Sequence, residues 1–189
     1  MAPSVGAGPP SASPATLVAM EIRGPRVTLR PVVADDAEGL AGILATAEVA
    51  QWWPGYDLPR VKAEYLVEED DVSVWAILVD ERLVGLIQAS EESEPEFRHA
   101  GIDLFLDPAI RGQGLGPEAI RLVARHLIED RGHHRLTIDP AADNTAAIRA
   151  YEKVGFRPVG RLRRYQRFPD GSWRDGLLME LLAEELLAG

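Results

Sequence analysis

A glycine-rich loop is the segment of this sequence whose residue types most directly suggest ligand chemistry. Arg111 to Gly116 reads Arg-Gly-Gln-Gly-Leu-Gly and lies between a predicted strand and a predicted helix. Glycines let the backbone turn tightly and approach a ligand closely. The exposed N–H groups and the positive end of the helix dipole then favour phosphate. The loop therefore predicts a ligand that carries phosphate groups.

Two common phosphate-binding patterns compete for this loop. A Walker A loop needs Gly-Lys-Ser/Thr before its helix, whereas here Pro117 follows Gly116. A dinucleotide fingerprint is formally met by Gly114, Gly116 and Ala119, with Asp139 near the expected acidic position. A dinucleotide fold needs repeated parallel βα units, and only one more helix and a hairpin follow this loop. A glycine turn that merely caps a helix is the remaining alternative.

A second motif follows the loop after one predicted helix and one predicted strand. Asn144 to Phe156 reads Asn-Thr-Ala-Ala-Ile-Arg-Ala-Tyr-Glu-Lys-Val-Gly-Phe, a helix that Asn144 caps and Gly155 ends. Asn144 and Tyr151 are seven residues apart and share one helix face. This segment closely resembles the N-x-x-A-x-x-x-Y-x-K-x-G-F segment of the GNAT acetyltransferases, and Arg111 to Gly116 matches their Arg/Gln-x-x-Gly-x-Gly/Ala signature.

The resemblance implies acetyl-CoA as co-substrate, with its pantetheine arm between two splayed strands. It implies a cofactor site made of the pyrophosphate loop, the backbone of one strand and the helix cap: Arg111, Gly112, Gln113, Gly114, Leu115 and Gly116; Leu104, Phe105 and Leu106; and Asn144. Acetyl transfer to an amine expels a thiolate, which a phenol with an ordinary pKa near 10 can protonate. Tyr151 is therefore predicted as the general acid, the alternative being a tyrosine packed in the core.

Three further features resemble those of the aminoglycoside 6′-N-acetyltransferases: Trp52-Trp53, Gly101-Ile102-Asp103 and Asp139-Pro140. The resemblance implies an acceptor site lined by aromatic and acidic side chains: Trp52, Trp53, Tyr56, Asp103 and Asp139. Carboxylates suit the ammonium groups of a polycation, and indole faces suit cations and sugar rings. Asp103 and Asp139 are expected to end neighbouring strands and to converge on one amine, which Asp103 is expected to orient and deprotonate. The tryptophans as a hydrophobic clasp, and Asp139 as a strand end, remain alternatives.

The amino-acid composition also limits the classes of partner and of site that the chain can have. The 189 residues carry 30 acidic and 20 basic side chains, for a formal net charge of -10. This balance argues against nucleic acid or an anionic membrane as partner, and it suits a cationic small molecule. Cysteine is absent, which excludes disulfides and thiolate metal sites. We expect a cytoplasmic monomer or homodimer without a metal, and His133-His134 is expected at the surface.

The positioning elements follow from periodicity and turn residues. Residues 1–20 are predicted to be a disordered tail and 21–189 a single domain. The predicted order is β-α-α-β-β-β-α-β-α-β-β, with an aromatic loop at 51–56, a helix at 60–69, and strands at 72–79 and 82–89 joined by a tight turn at Asp80-Glu81. An acidic loop follows at 90–96, and Pro117 opens a helix. The expected fold is mixed α/β of the GNAT type, a mostly antiparallel sheet flanked by helices with one βαβ crossover.

Three functions remain open on the sequence alone. The first is acetylation of an aminoglycoside or a similar amino sugar, and the second is acetylation of a protein N-terminus, a lysine or another metabolite amine. The third, from a different class, is a non-catalytic sensor of acyl-CoA. Intact Asn144 and Tyr151 argue against the sensor.

Overall fold

The computed structural model describes residues 20–67 and 69–186. The predicted tail lies outside these residues, apart from Met20. Within them, eight strands form one sheet in the order β1-β2-β3-β4-β5-β6-β8-β7. The strands are β1 (Ile22–Arg23), β2 (Thr28–Pro31), β3 (Val72–Val79), β4 (Arg82–Glu92), β5 (His99–Leu106), β6 (Arg135–Ile138), β7 (Arg157–Arg167) and β8 (Trp173–Leu182).

Helices cover both faces of this sheet. They are α1 (Ala37–Leu44), α2 (Ala47–Ala50), α3 (Leu58–Tyr65), α4 (Leu115–Arg125), which continues into a π-helical turn (His126–Asp130), and α5 (Thr145–Glu152). Buried side chains of α1 to α3 form one core with Leu86 and Phe105, while those of α4 and α5 form a larger core with Ile87 and Ile102. Adjacent residues of β4 thus serve opposite cores, as the period of two in a strand requires. No described helix is both long and apolar enough to cross a membrane.

The β3–β4 hairpin shows how local sequence sets the sheet. Its strands are rich in Val, Ile and Leu, and Val79 pairs with Arg82 across the turn. The two turn residues, Asp80 and Glu81, have φ angles of 48° and 60°. Two positive φ angles are those of a type I′ turn, whose twist matches that of the flanking strands. The tight turn expected at Asp80-Glu81 is confirmed.

One parallel crossover interrupts the antiparallel order. The chain leaves β5, passes through α4 and returns as β6, which pairs with β5 at Ala100↔Leu136 and Gly101↔Thr137. In the described part of the chain, this parallel pairing ends there, although β5 continues to Leu106. The two strands therefore separate just before Asp103, and one backbone edge of β5 is left for a ligand. The mixed α/β fold with one crossover, expected from the sequence, is confirmed.

Several predicted boundaries are wrong for local reasons. The helix α4 begins at Leu115, so Pro117 is its third residue rather than its first. The helix expected at 60–69 is α3, which begins at Leu58 because the Asp57 side chain accepts a hydrogen bond from the Arg60 N–H at 2.9 Å. Strand β4 runs into the predicted acidic loop as far as Glu92. The two-residue β1 and four-residue α2 were not predicted.

Candidate active site

Two aspartates meet where β5 and β6 separate. Asp103 lies within β5, opposite Gln88 of β4, which hydrogen-bonds to it, and Asp139 directly follows β6. The expectation that both residues end their strands is therefore wrong for Asp103. Burial, and then the negative charge of Asp139, raise the pKa of Asp103 to about 6, whereas the Gln88 hydrogen bond acts in the opposite direction. The two carboxylates are therefore near enough for the charge of Asp139 to raise the pKa of Asp103.

Tyr165 fixes the second carboxylate. Its hydroxyl donates a hydrogen bond to Oδ2 of Asp139. This bond, followed by burial, raises the pKa of Tyr165, and burial raises that of Asp139. The backbone of β7 presents the ring through an irregularity between Leu162 and Gln166, where Arg164 has a φ of 50°. No sequence motif indicated Tyr165, because this contact depends on a bulge.

Tyr151 reaches the same site from the helical layer. It lies on α5 and is buried, with its ring 6.4 Å from that of Phe156. Burial raises its pKa first, and the charges of Asp103 and Asp139 raise it further. Tyr151 therefore keeps its proton at neutral pH. Tyr151 therefore lies within electrostatic range of both aspartates that the sequence predicts at the acceptor site.

Aromatic rings form a wall beside the carboxylates. The Trp53 ring lies edge-on to Phe105 at 5.5 Å and to Tyr56 at 5.8 Å between centroids. Tyr56 in turn stacks on Tyr65, and the planes of the two rings differ by 2°. Trp52 is joined to β7 through its backbone carbonyl oxygen, which accepts a 3.4 Å hydrogen bond from the Gln166 side chain. Trp53 therefore packs as a clasp, as one of the two sequence interpretations expected, and still borders the site.

Tyr65 is a site residue that sequence reasoning missed. Its side chain is buried, and its hydroxyl has no hydrogen-bond partner among the described residues. Burial chiefly raises its pKa, followed by the neighbouring Tyr56 and then by the charges of Glu64 and Asp103. Only the stacking of α3 against β5 brings Tyr65 near that carboxylate, so spacing in the sequence could not have revealed it.

The glycine loop has the shape that a phosphate group requires. Gly112 and Gly114 both have φ angles of 78°, and Gly114 is the N-cap of α4. A Cβ atom added at Gly112 would meet nothing within 4 Å, so this position faces open space. The first N–H groups of α4 lack acceptors within the helix and are available to a ligand.

Arg26, which lies outside every motif of the sequence, fixes this loop to the rest of the protein. Its guanidinium donates to the Gln113 carbonyl oxygen at 2.8 Å and to Glu118 of α4 at 2.8 Å. Arg111 donates to the carbonyl oxygen of Glu48 at 3.1 Å and so joins the loop to α2. The loop conformation is therefore set by contacts at both of its ends before any ligand binds.

The other cofactor candidates lie on β5 and at the start of α5. Asn144 caps α5, because its Oδ1 accepts a hydrogen bond from the Ala147 N–H at 3.2 Å. Leu104 and Leu106 pack against the larger core and Phe105 against the smaller. Side chains of β5 thus occupy both faces, and its backbone edge faces the gap left by β6.

The expectation that His133 lies at the surface is wrong. Its side chain is 1% exposed and its Nε2 lies 2.6 Å from Oε2 of Glu91. Arg131 also contacts Glu91, at 3.2 Å, and this charged neighbourhood lowers the pKa of Glu91 despite its burial. The three residues join the end of β4 to the segment before β6. Within residues 20–67 and 69–186, no three side chains of the metal-binding types are grouped for a metal ion.

Comparisons with known proteins agree with this geometry. Residues 26–157 match the family model described as an acetyltransferase (GNAT) domain. An aminoglycoside N(6′)-acetyltransferase type 1 from Klebsiella pneumoniae is 29% identical over 77% of this chain and 79% of its own length. A [ribosomal protein bS18]-alanine N-acetyltransferase from Haemophilus ducreyi is 26% identical over 81% of this chain and 98% of its own.

A solved structure of an aminoglycoside acetyltransferase also resembles this chain in three dimensions. The aminoglycoside acetyltransferase AAC(6′)-Ib, in complex with paromomycin and acetyl-CoA, superposes with a TM-score of 0.70 and 25% identity. The superposition covers 85% of this chain and 95% of that one. With the family model spanning the glycine loop, the carboxylates and Tyr151, the chain belongs to the GNAT acetyltransferase family and is an N-acetyltransferase.

Proposed function

We propose that this enzyme transfers the acetyl group of acetyl-CoA to a primary amine held by Asp103 and Asp139. The observation that carries the proposal is the convergence of these two carboxylates with Tyr151 where β5 and β6 separate. Paired carboxylates attract an ammonium group, and a protonated phenol serves an expelled thiolate. An acyl-CoA sensor would have no use for such a set of proton-transfer groups.

The residues present fit acetyl-CoA. The N–H groups at the start of α4 and the open space at Gly112 suit a pyrophosphate, and Arg111 adds positive charge. The free edge of β5 from Leu104 to Leu106 suits the amide groups of pantetheine, as an added strand would. Asn144 supports this side by holding the start of α5. When bound, acetyl-CoA supplies an acetyl thioester and a thiolate leaving group.

Each side chain then has a defined task. Asp103 and Asp139 bind the amine as its ammonium ion, and Asp103 accepts one proton, which frees the nitrogen lone pair. A pKa of about 6 makes Asp103 a better base than an ordinary aspartate. The nitrogen forms a bond to the acetyl carbon as the carbon–sulfur bond breaks, Tyr151 gives its proton to the sulfur, and the second proton that the acetylated nitrogen loses returns to Tyr151. Trp53 and Tyr56 form the wall that excludes water from the amine.

The 6′-amine of an aminoglycoside is the first acceptor we propose. Its support is the relative from Klebsiella pneumoniae and the structure with paromomycin, together with the Trp52-Trp53, Asp103 and Asp139 positions. The second candidate is the amine of a peptide or amino acid. The relative from Haemophilus ducreyi favours it, and so does an arginine-lined cavity beside the aromatic loop.

A thiol-release assay tests the proposed function. The purified enzyme is mixed with acetyl-CoA and with kanamycin, tobramycin, a 6′-hydroxyl analogue, lysine, spermidine or short peptides. Turnover with 6′-amino compounds and none with the 6′-hydroxyl analogue supports the first acceptor, and turnover with peptides alone supports the second. Absence of turnover with every amine, while coenzyme A still binds, would contradict catalysis at this site.

A further inference from the structure

A cavity of about 580 Å³ lies between the aromatic loop and the turn that joins β7 to β8. Its walls include three aromatic rings and three polar side chains: Trp53, Tyr56, Phe168, Arg60, Gln166 and Arg167. Among the described residues that line it, none is acidic and two are arginines. The cavity therefore differs in charge from the carboxylate site.

Contacts of neighbouring residues nonetheless link the walls of the cavity to the carboxylate site. Its wall residue Trp53 packs on Phe105, which is two residues beyond Asp103 on β5. On the opposite side, Tyr165 holds Asp139, and the next two residues of β7 line the cavity. An acceptor that occupies both places would run beside β7, on which residues 165 and 167 are about 7 Å apart, the length of about two residues of an extended peptide.

The two arginines of the cavity differ in whether a carboxylate pairs with them. Arg60 already has a partner, because its Nε donates to Glu64 at 2.7 Å while its guanidinium lies 3.9 Å from the Tyr56 ring centroid. Arg167 forms no ion pair with any carboxylate in the described part of the chain. This leaves a local excess of positive charge in a protein whose net charge is -10. A polycation would meet a like charge here, whereas a carboxylate would gain a partner.

We propose that this cavity is an acceptor subsite for a carboxylate carried by the molecule whose amine is acetylated. The inference rests on the proposed amine acetylation and specifies the second candidate acceptor: a primary amine at one end, a carboxylate about two residues away, and an apolar or aromatic group between them. Arg167 binds the carboxylate, because guanidinium forms paired hydrogen bonds with it. Trp53 and Phe168 pack against the apolar group.

The kinetic test uses peptides that differ only in this carboxylate. Ala-Phe and Ala-Ala-Phe are compared as free acids and as C-terminal amides, with acetyl-CoA and thiol release as the readout. We expect the wild type to favour the acid by at least about tenfold in kcat/KM. Arg167→Gln should abolish that preference by raising KM for the acid, with kcat nearly unchanged, because the lost contact is equal in ground and transition states.

Arg163→Gln is the matched control, since Arg163 lies on the same strand and does not line the cavity. It should keep the preference of the wild type. Turnover that is equal for acid and amide in the wild type would overturn the subsite and leave amine acetylation intact. Equal loss of the preference in Arg163→Gln and Arg167→Gln would also overturn it, because general electrostatics would then explain the preference.

A binding measurement separates failure of the subsite from failure of catalysis. The same four peptides are titrated calorimetrically into the wild type with coenzyme A present. Binding of the acids and not the amides, with no turnover of any amine, would contradict the proposed function and still support the carboxylate subsite. Equal binding of acids and amides, or binding of neither, would overturn the subsite whatever the turnover.

Discussion

Burial of Asp103 has opposite effects on stability and on catalysis. A carboxyl group whose pKa rises on folding, here from 3.8 to about 6, is less favourable as an ion in the folded protein than in the unfolded chain. The protonated form, present below the unfolded pKa, carries no such cost, and stability falls as the pH rises towards and through 6. The same burial makes the carboxylate a better proton acceptor. The site is thus built at some expense in stability.

Replacing this carboxylate should stabilise the protein at high pH. We expect Asp103→Asn to raise the free energy of unfolding by about 1–2 kcal/mol at pH 8, after a discount for partial solvent exposure, and by much less at pH 4. Urea unfolding at the two pH values measures the difference. Asp170→Asn, at a fully exposed turn position, should give no comparable gain. A gain of equal size at both pH values would show that the charge of Asp103 is not its cause.

Tyr165 is predicted to act through Asp139 rather than on the acceptor. Tyr165→Phe removes the only hydroxyl that donates to Asp139 among the described residues, and a hydrogen bond to a charged group contributes about 1.5–3 kcal/mol. We expect kcat/KM to fall by about tenfold, and its acidic limb to move to higher pH, since this bond lowers the pKa of Asp139. The melting temperature should change little, because the side chain is 50% exposed. An unchanged pH profile would contradict this role.

At the scale of elements, the loop before α4 combines an unusual backbone with empty space. Gly112 has a φ of 78°, and a Cβ there would contact no protein atom within 4 Å. Protein packing therefore does not require a glycine here, whereas the positive φ does, and the open space beside it is where we propose that a pyrophosphate binds. The Arg26 contacts to Gln113 and Glu118 hold the loop in this form.

A side chain at this position should weaken coenzyme A binding. We expect Gly112→Ala to raise the Kd for coenzyme A by at least about tenfold, because Ala at this φ costs about 1–2 kcal/mol and its methyl group fills the space near the phosphates. Calorimetric titration measures it. Gly42→Ala, in α1 with equally open surroundings, is the control and should leave the Kd unchanged. Equal affinity of all three proteins would remove the loop from the cofactor site.

Elements with a strong local signal were predictable from the sequence. The alternating strands β3 and β4, the Asp80-Glu81 turn and the Asn144 cap each depend on neighbouring residues, and each is confirmed. The short elements β1 and α2 have too few residues for a periodic pattern. His133 looked like a surface residue because its partner Glu91 is 42 positions away. Contacts between distant segments leave no pattern in the local sequence.

The residues of the candidate site could also be predicted only in part. Asp103, Asp139 and Tyr151 stood out because they lie in motifs, and the structure brings them together. Tyr65, Tyr165 and Arg26 lie outside those motifs, and each reaches the site through tertiary packing or an irregular strand. Their positions required the folded chain.

At the scale of the whole molecule, the sheet is the frame that assembles this site. Its parts come from β5, from the segment after β6, from α5 and from β7, which span residues 103 to 165. The crossover through α4 both separates β5 from β6 and places the glycine loop beside the gap. The remaining face carries the aromatic loop and the arginine-lined cavity. In the proposed function, the cofactor and the acceptor therefore bind to different elements and meet near Asp103.

The role of Asp103 as proton acceptor is best tested by the pH dependence of kcat/KM for the wild type and for Asp103→Asn. With the best amine from the acceptor panel, the wild type should gain activity as the pH rises through about 6, where Asp103 ionises. Asp103→Asn should lose at least about a hundredfold in kcat/KM and lack that limb, and Asp170→Asn should match the wild type. An Asp103→Asn enzyme within a few-fold of the wild type, with the same pH profile, would contradict the role of Asp103.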